Sequence, residues 1–219
     1  MARPVCAQPD DRRPLSTSLL AGNYLLFFAL LGLVIPYLGL FLQGRGFSGE
    51  QIGQVLALFG LTRVISPNIW AWLADRLGQR AFIIKLGAWL SLCCFVPLLF
   101  AAGKPLTIAA LLGFSFFWTA ILPQLEALTM ASLGAERQRY ARLRAWGSLG
   151  FILTSSLAGG LLGWWGSDTL VPMGLLLLTG LWLITLPLRD LPPEAGSASE
   201  HGSAGNLGWP LLLLLVMFL

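Results

Sequence analysis

The chain has 219 residues, 56% hydrophobic and only 11% charged, with a formal net charge of +4 and a mean hydropathy of +0.76. That balance lies far from soluble domains and marks a membrane protein. It also argues against nucleic-acid binding, because the arginines punctuate apolar runs and line no continuous basic face.

In chain order, residues 1–17 form a basic tail carrying Arg3, Arg12 and Arg13. The apolar run that follows exceeds a signal-peptide core and lacks a small-residue cleavage pattern, so it reads as a retained first span. Six runs are about long enough to cross a hydrocarbon core, which needs ~20 residues: 19–42, 52–74, 81–102, 106–133, 145–165 and 170–188. The connections are short, so successive helices are expected to be antiparallel neighbours in an all-α, six-helix transmembrane bundle over 18–188. Residues 189–206 are rich in Pro, Ser, Gly and Glu and read as a flexible linker. A further apolar run, 207–219, is about half a crossing, and reads as the start of a truncated seventh helix.

Basic residues set the expected orientation. Arg76 and Arg80 lie between spans two and three, Arg137, Arg139 and Arg142 follow span four, and Arg189 follows span six, whereas the opposite loops carry only Arg45 and Lys104. The amino terminus and the 189–206 linker are thus expected on the cytoplasmic side of a bacterial-type inner membrane.

Several features have ordinary structural readings. Cys6, Cys93 and Cys94 form no CxxC pattern and read as packing residues, and His201 is a solvated linker residue. Ser48, with Gln51 three residues on, has the spacing of a capping box opening span two. The same stretch, Gly46 to Gly49, has the GxSG spacing of intramembrane serine proteases, but no span contains a histidine to act as base. Pro36, Pro67, Pro97 and Pro123 are expected to kink their helices. Lys85 is close enough to a helix end to snorkel. Gly32, Gly39, Gly147, Gly150, Gly159, Gly160 and Gly163 favour close helix approach.

Glu126 and Arg144 stand apart, because each interrupts an apolar run, and ionisable residues at membrane depth are functional candidates. Both stand equally far in sequence from Ala135 in the polar gap, so at helical rise each lies ~13 Å from the turn and the two can meet. Arg63, counted back from Asp75, falls ~18 Å into the bilayer and needs a wet cavity, a carboxylate or a helix carbonyl. With Arg63 and Arg144 against one carboxylate, such a cavity is net positive and favours an anionic substrate whose carboxylate meets a guanidinium fork. Tyr24, Phe27, Phe28, Phe116, Phe117, Trp118 and Phe151 are candidates for its aromatic wall, with packing as the ordinary role of each.

Four stretches resemble a known family. Span two ends WLADRLGQR, in which Leu73, Asp75, Arg76, Gly78 and Arg80 match the G-x-L-x-D-R-x-G-R-K loop of the major facilitator superfamily, with Ala71 and Gln79 departing from it. The resemblance implies a cytoplasmic latch built on Asp75 and the arginines, with Gly78 permitting the turn. YARLRAWGSLGF, from Tyr140 to Phe151, is similar to the fifth-helix start of galactoside:proton symporters and, in its R-x-W-G-S form, of phenylpropionate-permease-like transporters. GNYLLFFALLGLVIPYL in span one and LTRVIS in span two also look like the latter group. By this resemblance Glu126 and Arg144 fall on the carboxylate and arginine that bind substrate, and Phe151 replaces the aromatic residue, usually tryptophan, that stacks on a sugar.

The resemblance implies the amino-terminal half of a proton-coupled transporter for a small aromatic or other organic acid of the 3-phenylpropionate type. Arg63, Glu126, Arg144, Phe151 and Tyr24 are its candidate substrate-binding residues; no cofactor is called for beyond the proton. Its expected partners are the small-molecule substrate, the lipid bilayer and a carboxy-terminal six-helix half. A sugar or nucleoside cargo on the same fold is the alternative. A non-transporting scaffold subunit is the rival of another class, opposed by the cost of burying Arg63, Glu126 and Arg144.

Overall fold

The computed structural model describes residues 15–100, 103–134, 136 and 138–190. The tail before Leu15, His201 and everything from 191 onward lie outside the described residues, and with them most of the expected linker and the whole expected seventh helix. Six helical stretches are long and apolar enough to cross a membrane: Thr17–Gly44, Gly49–Leu77, Arg80–Leu99, Lys104–Leu133, Arg139–Trp165 and Ser167–Thr185. They match the expected runs in number and order.

The first span is α1 (Thr17–Gly44) and the second α2 (Gly49–Leu77), which opens on the anticipated capping box: the Ser48 hydroxyl accepts from the Gln51 N–H, and the Gln51 side chain accepts from the Ser48 N–H. The third is α3 (Arg80–Phe95), which tightens into a 3-10 turn over Val96–Leu99. Proline 97 sits in that tightened turn, where its missing N–H ends the α-helical ladder. The fourth span is two helices, α4 (Lys104–Trp118) and α5 (Ile121–Leu133), parted at Thr119 and Ala120. Pro123 explains the break, since its ring displaces the carbonyl four residues back, that of Thr119. Spans five and six are α6 (Arg139–Trp165) and α7 (Leu170–Thr185), joined through a 3-10 turn at Ser167–Thr169. Pro36 and Pro67, by contrast, lie inside unbroken α-helical assignments.

At the centre, α1 is covered on one side by α6 and α7 and reaches α4 through its aromatic residues. The Phe27 ring stacks on Trp118 at 5.0 Å, Trp118 on Phe114 at 5.3 Å, and Phe114 meets Phe95 edge-on at 4.9 Å. This column joins α1, α4 and α3 with the large apolar area and offset geometry that aromatic pairs prefer. It settles Phe27 and Trp118 as core residues, since both are buried.

Helices α1 and α6 run parallel, and Gly32 and Gly150 make their contact possible. A Cβ on Gly32 would collide with the backbone of Phe151, and one on Gly150 with the backbone of Leu25. The Tyr37 hydroxyl donates to the Ser155 carbonyl at 2.6 Å, fastening the same pair further along. Half of the apolar window of α1 is buried, against 17% in α2 and 22% in α6, so these two helices leave broad faces uncovered.

Both ends of the bundle are tied by polar contacts. At the end expected to face outward, Arg45 pairs with Asp168 at 2.9 Å, donates to the Leu98 carbonyl at 2.8 Å and lies over the Phe41 ring. One guanidinium thus joins three connections. At the basic end, the buried Leu15 donates its N–H to the Ser132 hydroxyl at 2.9 Å, so the last residues of the expected tail belong to the bundle. Asp190, expected in the linker, accepts from the Ala81 N–H at 2.8 Å and thereby ties the chain beyond α7 to the first turn of α3.

Candidate functional site

Glu126 and Arg144 meet, as the symmetry of their spacing about the polar gap implies. Glu126 projects from α5 one turn after Pro123, and Arg144 from α6; the guanidinium Nη1 donates directly to Glu126 Oε1. Helix α6 starts at Arg139, earlier than the apolar run suggested, so Arg144 stands in its second turn, ~8 Å from the helix start. The pair therefore lies nearer the basic end than the ~13 Å counted from the gap. The side chains remain 46% and 33% exposed, so both charges reach an open surface. Charge turned to lipid is expensive, so in a multi-pass protein the open side of this pair faces water.

Sequence reasoning missed Tyr140. The Arg144 Nη1 that serves Glu126 also donates to the Tyr140 hydroxyl at 2.8 Å. The signal was the spacing in YARLR, since residues four apart share one helix face. Tyr140 is held in turn by Tyr24, whose ring meets it edge-on at 6.4 Å. Tyr24 is fully buried, and its hydroxyl donates to the Thr129 Oγ1 of α5 at 3.4 Å, so it supports the site from behind and presents no surface to a cavity. The guanidinium of Arg144 also lies 5.8 Å from the centroid of Phe28, near the outer limit of a cation–π contact. Three elements, α1, α5 and α6, thus converge on one arginine.

The other candidates fall elsewhere. Arg63 is exposed on α2 and makes no ion pair or hydrogen bond among the described residues. Its neighbours explain the direction: the Thr62 hydroxyl bonds that of Ser115 at 2.6 Å and the Ser66 hydroxyl donates to the Phe116 carbonyl, which docks that stripe of α2 on α4. Arg63 is the next residue round and is turned off that contact, since consecutive residues are ~100° apart on a helix. Phe151 is half-buried, with its backbone against Gly32. Phe116 and Phe117 pack on Trp70 at 6.1 and 5.9 Å.

The loop between α2 and α3 has the geometry its residue types suggest. Gly78 ends α2 in the left-handed region at φ 63°, where a Cβ is unfavourable, and its N–H donates to the Ala74 carbonyl at 2.8 Å. Asp75 pairs with Arg80 at 3.4 Å, and Arg76 lies over the Trp72 ring at 4.2 Å. Asp75 and Arg80 are both well exposed, so their pair contributes little to stability.

Six membrane-length helices, with an arginine–carboxylate pair between the fourth and fifth spans, define a multi-pass bundle of the kind that solute transporters are built from. The chain belongs to the MFS_1 like family, whose model matches residues 18–207, and so to the major facilitator superfamily. It is 24% identical over 201 residues to the probable 3-phenylpropionic acid transporter of Escherichia coli (strain K12), a match covering 92% of this chain and 52% of that protein. It is 26% identical over 201 residues to the maltose permease of Geobacillus stearothermophilus, covering 88% and 50%. A shorter match, 35% identical over 89 residues, relates 41% of the chain to 22% of the quinolone resistance protein NorA of Staphylococcus aureus. The chain spans about half the length of the first two relatives.

Proposed function

We propose that the chain supplies the amino-terminal, substrate-binding half of a proton-coupled transporter for a small organic acid of the 3-phenylpropionate type. The observation that carries this reading is the half-exposed Glu126–Arg144 pair, backed by Tyr140 and Phe28. An arginine that already shares one nitrogen between a carboxylate and a phenol is placed to exchange its carboxylate partner for that of a substrate. Protonation of Glu126 would release the arginine and couple proton entry to acid binding. Arg63 is the second cation open to the cargo, and Phe151 and Phe28 are the aromatic residues nearest this role in the sequence pattern. A second six-helix half completes the transporter, and the two halves rock about a site between them. The latch residues Asp75, Arg76, Gly78 and Arg80 act at the cytoplasmic face, where the basic end and the amino terminus lie in an inner membrane.

The test is uptake of labelled 3-phenylpropionate by cells producing the full-length product of the gene. Arg144→Ala should abolish uptake. Glu126→Gln should abolish accumulation against a gradient while leaving exchange of internal for external acid. Unchanged uptake by the Arg144→Ala protein would reject the assignment. The similarity to a maltose permease favours a second reading, a sugar cargo; uptake of labelled maltose, competed by unlabelled maltose and not by aromatic acids, would support it.

A further inference from the structure

Helices α1 and α6, held together by their glycines in mid-span, part toward the basic end and leave a groove. It consists of two adjoining cavities of about 270 and 440 Å3, which share Thr17 and Trp146. At the mouth stand Arg139 and Arg142 beside the Thr17 side chain. Deeper in the span the groove is lined by the small, apolar surface of Ala21, Gly22 and Leu25, with Trp146 as a wall common to both parts.

This groove is not the ion-pair site. Arg142 and Trp146 each lie two residues from Arg144, about 200° away around the helix, so they occupy a different stripe of α6. Arg142 is exposed and makes no ion pair or hydrogen bond among the described residues. Arg139 pairs only at the surface, with Glu136 at 2.7 Å, where both side chains are more than half exposed. Two cations therefore stand over an apolar trough whose long axis follows a membrane span.

The order of these groups specifies the ligand. A soluble anion would occupy the mouth and leave the trough empty, whereas a neutral lipid would fill the trough and leave Arg142 without a counter-charge. Basic pockets between transmembrane helices on the side of the positive loops are suited to acidic headgroups. We propose that the α1–α6 groove binds an anionic phospholipid, its phosphate between Arg139 and Arg142 and an acyl chain along Ala21, Gly22 and Leu25 against Trp146.

Native mass spectrometry of the full-length protein in detergent, with phosphatidylglycerol and phosphatidylcholine supplied in equal amounts, tests this. The wild-type protein should retain phosphatidylglycerol about fivefold better, as expected for one or two basic groups meeting an acidic headgroup. Arg139→Gln with Arg142→Gln should bring the ratio close to one, and Arg139→Lys with Arg142→Lys should preserve it, which separates loss of charge from loss of fold. Lys85→Gln removes a charge near the same end but outside the groove and should leave the preference intact. Equal retention of both lipids by the wild type, or an unchanged preference in the glutamine variant, would overturn the proposal. Displacement of the lipid by millimolar inorganic phosphate would overturn it too, because the groove would then be a site for a soluble anion.

Discussion

Arg144 uses one nitrogen for two acceptors, the Glu126 carboxylate and the Tyr140 hydroxyl, so the position of the guanidinium is set by both. Tyr140→Phe keeps the ring that Tyr24 supports and removes only the hydroxyl. Net hydrogen-bond contributions are ~0.5–1.5 kcal/mol, so the variant should raise the KM for acid uptake by roughly threefold to tenfold. Vmax should stay within about twofold, because a positioning group contributes to binding in ground and transition states alike. A fall in Vmax with KM unchanged would instead place the hydroxyl in the transport step. Glu126 and Arg144 were legible in the sequence because charge is rare inside apolar runs, and their equal spacing about the gap implied contact. Tyr140 was not singled out, since it adjoins a polar gap where tyrosine is unremarkable; only its helical register with Arg144 gives it a role. Tyr24 shows the limit from the other side. Residue type suggested a place in the cavity wall, but Tyr24 is buried, because which side of a helix is open depends on packing that one span does not encode.

Between elements, the α1–α6 contact is the structural base of the site, because α1 carries Tyr24 and Phe28 while α6 carries Tyr140 and Arg144. Gly150→Val would force side-chain atoms into the Leu25 backbone, and overpacking of this kind costs ~1–3 kcal/mol. Thermal unfolding in detergent should show a lowered midpoint for this variant, whereas Gly160→Val, where a Cβ meets open space, should leave it nearly unchanged. The contact between Asp190 and the start of α3 predicts a more local effect. Asp190→Ala removes a carboxylate that serves a first-turn N–H, a loss of ~1 kcal/mol in comparable helix caps. Hydrogen exchange at Ala81 should accelerate about fivefold, as that energy implies. The number and order of the spans were legible from apolar run length; the break before α5 was not, because Pro36 and Pro67 carry the same signal and lie in unbroken helices. The earlier start of α6 was not legible either, because its first turn is polar and mostly exposed, and only Tyr140 there packs on the core and shares a face with Arg144.

Over the whole molecule, α2 and α6 leave broad faces uncovered, and in the proposed transporter a second bundle would lie against them. The open side of the Glu126–Arg144 pair would then face the space between the halves, where a site near the axis of rocking is reachable from either side. The distinction between acid and sugar cargo rests on one charge relation, a guanidinium that a carboxylate can claim. Equilibrium binding of 3-phenylpropionate to the purified full-length protein, with maltose as competitor, tests that relation most directly. A hydrogen bond to a charged group contributes ~1.5–3 kcal/mol, so Arg144→Ala should weaken acid binding by roughly tenfold to a hundredfold. Maltose should not compete. Equal affinity for the acid in the wild-type and Arg144→Ala proteins, or displacement of the acid by maltose, would contradict the account.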